Sequence, residues 1–176
     1  MISMPDTDSG PPEGGIVAWT RQAAPGDGPR LMDALLDDAS AAGASILVLD
    51  GSLVFGSDHL ASALYHARKA IDEGRNASDS LQMETLLYSS GERQLSSAIR
   101  KMSVSDTTTV VVVARLSTDG FDPGEGWGFL PRKPVSVEMG QLIRFGIDRT
   151  AAGTIQADLL GDLVLERVAN VDLIKK

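Results

Sequence analysis

Residues Thr107–Leu116 read TTTVVVVARL, a run almost entirely β-branched or apolar. Such side chains suit the pleated, packed surface of a strand. The run does not alternate between apolar and polar positions, so both of its faces should be covered. This segment therefore calls for a sheet with a buried interior strand and with further elements stacked on each side.

The rest of the chain supplies those elements. Ile16–Trp19 is a short β-branched and aromatic run and reads as the first strand. Pro25, Gly26, Gly28 and Pro29 mark a loop. Leu31, Leu35 and Leu36 fall on one face of a helix that Gly43 ends. Ile46–Leu49 is a continuous apolar run and reads as a buried strand, with a turn at Asp50-Gly51. Ser57 or Asp58 is placed to cap the next helix, where Leu60, Leu64, Ala67 and Ile71 repeat at helical spacing as far as Gly74. Asp79 with Gln82 resembles a capping box for a helix carrying Leu81, Met83, Leu86 and Leu87. Ser90-Gly91 interrupts that helix, and Ser90 is placed to cap another in which Leu95, Ala98, Ile99 and Met102 face inward. Asp119 to Pro134 is a long Gly- and Pro-rich loop that displays Phe121, Trp127 and Phe129. Val137–Ile147 fits a helix or, in part, a strand. Asp158–Ile174 fits a final helix with Leu160, Val164, Val168 and Val171 on one side. The expected fold is α/β (α+β): one domain over 15–176, with a mostly antiparallel or mixed sheet flanked by helices. The strict strand–helix alternation of a doubly wound nucleotide-binding fold is missing.

Met1 to Gly15 carries Pro, Gly, Ser and Asp with almost nothing to bury, so residues 1–14 are expected to form a mobile tail. No stretch approaches the roughly 18 apolar residues of a membrane span. A basic start followed by an apolar run, the mark of a secretion signal, is also missing. A soluble, cytoplasmic protein without membrane contact is expected. There are no cysteines and only two histidines, which removes disulfides, zinc fingers and thiolate chemistry. Net charge is -8, Asp outnumbers Glu, and Arg outnumbers Lys. Acidic, Lys-poor surfaces resist aggregation in concentrated salt, so a halophilic source is expected, and acidity then does not argue against a nucleic-acid partner.

Catalytic signatures are lacking. No GxGxxG follows a strand, and there is no GxxxxGK[ST], HExxH or GxSxG. GEGWG at Gly124–Gly128 is Gly-rich but has no following Lys. No cofactor or metal is expected. His59 and His66 lie seven apart on one helical face, either as a proton-transfer pair or as two partly buried packing residues. A small enzyme using His66 with a nearby carboxylate is the corresponding function.

Between Ser57 and Met102 there are six basic residues (Arg68, Lys69, Arg75, Arg93, Arg100, Lys101) and six acidic ones. This segment is neutral, and the remainder carries the whole -8. A phosphate backbone could approach there. Equally, the charges could be spent on exposed i,i+4 pairs such as Arg68–Asp72 and Lys69–Glu73. Within the segment, Ser90-Gly91-Glu92-Arg93-Gln94 combines a helix-opening turn, whose amides favour an anion, with a planar cation and an amide able to read a base edge. Ordinary helix capping is the alternative.

The stretch GSDHLASALYHARKAIDEGRNASDSLQMETLLYSSGERQLSSAIRKM resembles the core of the regulatory subunit of KEOPS, the complex that makes N6-threonylcarbamoyladenosine in tRNA. In eukaryotes this is the PRPK-binding protein (TPRKB) family. The resemblance rests on His59-Leu60, Ala63, Glu84, Leu86-Leu87, Ser90-Gly91, Arg93-Gln94, Ala98-Ile99, Asp106 and Val110–Val113. It runs from about Gly51 to Leu116. The aromatic loop departs from the compact family pattern. The resemblance implies a sheet flanked by helices and no catalytic activity. It implies binding to the small atypical kinase of the complex, indirect association with its other subunits, and, as in archaeal members, recruitment of tRNA by the single-stranded 3′ CCA end. Carried over, Ser90, Gly91, Arg93 and Gln94 are the first candidates for tRNA contact, with Arg75 and Arg68 secondary. A regulator that binds only the kinase would need an exposed apolar helix face. Val164 and Val168 on the final helix are candidates, unless that face packs into the domain's own core.

Overall fold

A computed structural model of the chain describes residues 16–117, 120–133 and 136–175, with Ser57 and Glu125 described by backbone alone. The expected tail lies outside this range, and the long loop is described over 120–133.

The Val-rich run forms β3 (Val110–Arg115), the interior strand of an antiparallel sheet. One edge pairs with β1 (Ala18–Gln22), with Val113 opposite Trp19. The other pairs with β2 (Ile46–Asp50), with Val113 opposite Val48. Val111 and Val113 point into one apolar layer, while Val112 and Ala114 point into the other. The period-two geometry of the strand thus explains the unbroken apolar run. β1 lies two residues later than its apolar pattern indicates. Its polar end, Arg21 and Gln22, is held by pairing to Val111 and Val110 rather than by burial. A two-residue strand β4 (Leu130–Pro131) adds to the outer edge of β1, where proline is tolerated.

The larger layer packs α2 (Ser57–Asp72), α3 (Leu81–Ser90), α4 (Leu95–Met102), α6 (Met139–Phe145), the short α7 (Arg149–Gly153) and α8 (Leu160–Ile174) against one sheet face. Residues 137–147 therefore contribute a helix and no strand. The smaller layer covers the opposite face with α1 (Gly28–Ala41) and the long loop, which contains the single turn α5 (Gly124–Trp127). Phe121 and Phe129 are buried there, and the half-buried Trp127 donates from Nε1 to Asp38 Oδ2 at 2.9 Å. The aromatics are thus not displayed to solvent as expected. They are the lid of the second core, because α1 alone does not cover that face.

Two helix starts differ from expectation. α2 opens on Gly56, in a backbone conformation (φ 121) that favours glycine, instead of on a capping Ser57 or Asp58. α3 is capped by Ser80, whose Oγ accepts from Met83 N and donates to Gln82 Oε1. The box thus starts one residue after Asp79. Leu160, Val164, Val168 and Val171 all point inward, and Val164 and Val168 have no exposed surface. Those two valines are core residues and cannot present a partner-binding face.

Candidate functional site

α3 ends at Ser90, and Gly91 closes it in the left-handed conformation (φ 67). A Cβ at Gly91 would meet Arg167 Cγ at 2.6 Å, so the position demands glycine twice over. Ser90 does not cap α4, whose N-cap residue is Gln94. Ser90 Oγ instead donates back to Leu87 O and accepts from Glu92 N. Gly91 N donates to Tyr88 O. The amides expected to be bare at Gly91 and Glu92 are therefore occupied, and in the first turn of α4 Ser97 N and Ala98 N both donate to Gln94 O at 3.1 Å. Arg93 and Gln94 project outward and are exposed, and Arg93 pairs with no carboxylate among the described residues.

Behind the turn lies a constellation that sequence reasoning did not identify. Lys101 spends all three ammonium hydrogens: on Ser90 O at 2.6 Å, on Glu92 Oε1 at 3.1 Å and on Phe145 O. It also sits 4.0 Å from the Phe145 ring centroid. Two of its acceptors are carbonyls at the C-terminal ends of α3 and α6, where the helix dipoles favour a cation. Burial pushes the Lys101 pKa down and the Glu92 carboxylate opposes this. A nearby guanidinium, Arg167, adds to the depression. Arg167 comes from α8 and crosses Gly91. Nothing in the sequence marks it, because it lies far from the neutral segment and is brought in only by helix packing.

The two secondary candidates do not join this turn. α2 and α3 pack against each other, and His59 near the start of α2 donates from Nε2 to Ser89 O at 2.7 Å, beside the turn. Arg68 lies further along α2 and Arg75 past its end at Asp72, and both are held by other partners. Arg75 is held by Glu73 (2.5 and 2.8 Å) and by Asp172 Oδ1 (3.1 Å), and these hydrogen bonds raise its pKa. Arg68 donates to Leu116 O at 2.5 Å. The expected pairs Arg68–Asp72 and Lys69–Glu73 are not formed among the described residues; Glu73 turns to Arg75 instead.

His59 and His66 sit in separate surroundings with different partners. His59 is fully buried between the Phe55 and Phe145 rings. His66 Nδ1 lies 2.9 Å from Asp172 Oδ2, and its ring stacks on Tyr88 with centroids 5.6 Å apart. His66 does meet a carboxylate, but Asp172 also accepts from Tyr88 Oη and Arg75. Burial alone would raise the Asp172 pKa; the three hydrogen bonds hold it below the usual range. The network pins α8 to α2 and α3. A cavity of about 640 Å³ lies elsewhere, beside β4, lined by Thr20, Val112, Leu130, Arg132 and Gln141 among others. None of the predicted site residues borders it.

Among the described residues no helix is long and apolar enough to cross a membrane, and no cluster of ligands could hold a metal. No curated protein matches the chain significantly. A family model described as "Kinase binding protein CGI-121" matches residues 29–150, from the start of α1 through the turn to the residues after α6. That span is well over half of the 176 residues, and the chain belongs to the CGI-121 kinase binding protein family.

Proposed function

We propose that this protein is the non-catalytic KEOPS subunit that binds the complex's small atypical kinase, touches the other subunits through it, and recruits tRNA by the 3′ CCA end for N6-threonylcarbamoyladenosine synthesis. The observation that carries the RNA part is the exposed guanidinium of Arg93, paired with no carboxylate among the described residues, beside Gln94 on a turn braced from behind by Lys101. Arg68 and Arg75 are engaged internally and serve the fold rather than the RNA.

A halophilic cytoplasm favours this mode. In concentrated salt the Debye length falls to about 3 Å or less. Counterion release then drives little binding, and recognition leans on stacking and hydrogen bonds to unpaired bases. Stacking contributes roughly 1–3 kcal/mol per base. Reading a few terminal nucleotides is compatible with a protein of net charge -8 in a way that tracking a duplex is not. The test compares full-length tRNA with tRNA trimmed of CCA, on the wild type and on Arg93→Glu. Loss on trimming and loss in the variant are expected; equal affinity in all four combinations rejects the RNA role.

The family match itself favours a second reading, a kinase-binding adaptor without RNA contact. With Val164 and Val168 in the core, an apolar contact on α8 would have to use its outward residues Leu173 and Ile174. Co-purification with the kinase, lost in Leu173→Glu and accompanied by no retention on tRNA, would select this reading.

A further inference from the structure

Buried polar atoms in folded proteins are almost always hydrogen-bonded, so each orphan calls for an explanation. Both orphans found among the described residues, Ser89 Oγ and Arg167 Nε, are at the Ser89–Gly91 corner. Arg167 has five donors to place. The one bond it makes among the described residues is from Nη1 to Gly146 O at 3.5 Å, too long to hold a guanidinium. The aliphatic stem lies flat on Gly91. Its Nη2 and Lys101 Nζ both lie within 4 Å of the point that a Cβ on Gly146 would occupy, so two cations converge on one spot. The carboxylate at this corner, Glu92, is already committed to Lys101. The Arg167 guanidinium is held by its stem, with no bond of ordinary length among the described residues and no carboxylate of its own there.

We infer that Arg167 is a second guanidinium of the nucleic-acid site, which holds a phosphate of the single strand whose bases meet Arg93 and Gln94. This rests on the RNA reading above and adds to it a backbone contact from a different helix. Lys101 supplies field but no bond, since its three hydrogens are spent. A planar fork presenting paired donors matches a phosphate in a way that a point charge does not. Because the stem and Nε are covered, the contact is screened less by salt than an open surface pair.

The experiment uses the full chain and CCA-ended tRNA, over a range of salt in which the melting midpoint is constant. Arg167→Gln is expected to weaken binding about tenfold or more. It should also lower the slope of log affinity against log salt by about 0.7, the loss of one single-strand phosphate contact. Arg167→Lys, which retains stem and charge, should keep the slope and lose part of the affinity. On the wild type, the Arg167 Nε–H resonance should shift when the trinucleotide CCA is added, a readout that does not depend on any variant folding. Unchanged slope and affinity in Arg167→Gln, while CCA trimming and Arg93→Glu abolish binding, would overturn the Arg167 contact and leave the RNA reading standing. A weaker complex with an unchanged slope would overturn it as well, as would a resonance that stays in place. Insensitivity to trimming and to both arginine variants would overturn the contact and the RNA reading together.

Discussion

Protonating His59 would place a charge where solvent does not reach. Its Nδ1 accepts from Phe55 N at 3.1 Å, so Nε2 carries the hydrogen donated to Ser89 O. Burial lowers the pKa to about 4 from the ordinary 6.5, against the opposing pull of the Ser89 carbonyl. The unfolded chain then binds one more proton between these two values. Stability is complete above pH 6.5 and falls as the pH drops toward 4, by about 3 kcal/mol. An NMR titration should place the His59 midpoint near 4; a midpoint near 6.5 would contradict the buried, neutral ring. Gly91 makes a second single-residue claim. Gly91→Ala must adopt a left-handed backbone, at roughly 1–2 kcal/mol, and drive a methyl group against Arg167. Denaturant midpoints should show a loss larger than the backbone term alone. Recovery in the double variant Gly91→Ala/Arg167→Ala would assign the excess to the clash. Gly91 stands out in the sequence as a break between two helical patterns. That the break is enforced by a side chain from α8 could not be read there, because the contact joins residues 76 positions apart.

Besides their apolar stripes, the helices are joined by two buried or half-buried carboxylates. Glu84 has no exposed surface. Its Oε2 accepts from Ala77 N and Ser78 N at 3.0 Å, and its Oε1 meets Lys175 Nζ at 2.7 Å. One side chain thereby fixes the polar linker before α3 and the end of α8. Glu84→Ala strands a buried ammonium and two amides, and a loss of about 3–5 kcal/mol is expected in chemical unfolding. A change below about 1 kcal/mol would mean that water replaces the carboxylate. Asp172 does the corresponding work between α2, α3 and α8. Its depressed pKa adds stability that is fully present above the unfolded value of 3.8 and disappears as the pH falls through the lower folded value. Asp172→Asn should therefore flatten the acid limb of the wild-type stability curve, and a limb that keeps its steepness would place its origin elsewhere. Sequence periodicity identified α1, α2, α3 and α8 because apolar spacing dictates which face packs. It could not indicate which polar residues close the gaps. Glu84 is singled out only by the family resemblance, and Asp172 not at all, until folding brings Lys175, Arg75 and His66 to them.

At the scale of the whole molecule, the sheet separates two apolar layers of unequal size, and this organisation follows from β3. Its unbroken valines required cover on both faces. That requirement was legible in the sequence, whereas the identity of the second cover was not. A Gly- and Pro-rich segment reads as exposed loop, since its backbone lacks periodicity. Here its aromatics nonetheless complete a core: Phe129 and Phe121 are almost fully enclosed against Trp19, Val111 and Val113. Phe129→Ala should accordingly cost about 3–5 kcal/mol, the range for deleting a buried aromatic ring. The chain reports its own layers separately. Both tryptophans, Trp19 and Trp127, belong to the smaller layer, while α2, α3 and α8 of the larger layer contribute much of the helix. Tryptophan fluorescence therefore follows the loop-covered side, and far-UV circular dichroism follows mainly the helical side. Because Val111 to Ala114 serve both layers from one strand, neither layer should survive the loss of the other. Urea transitions by the two probes should coincide in the wild type and shift together in Phe129→Ala. An earlier fluorescence transition, with helical signal retained, would show that the aromatic loop detaches on its own and that the sheet does not couple its two faces.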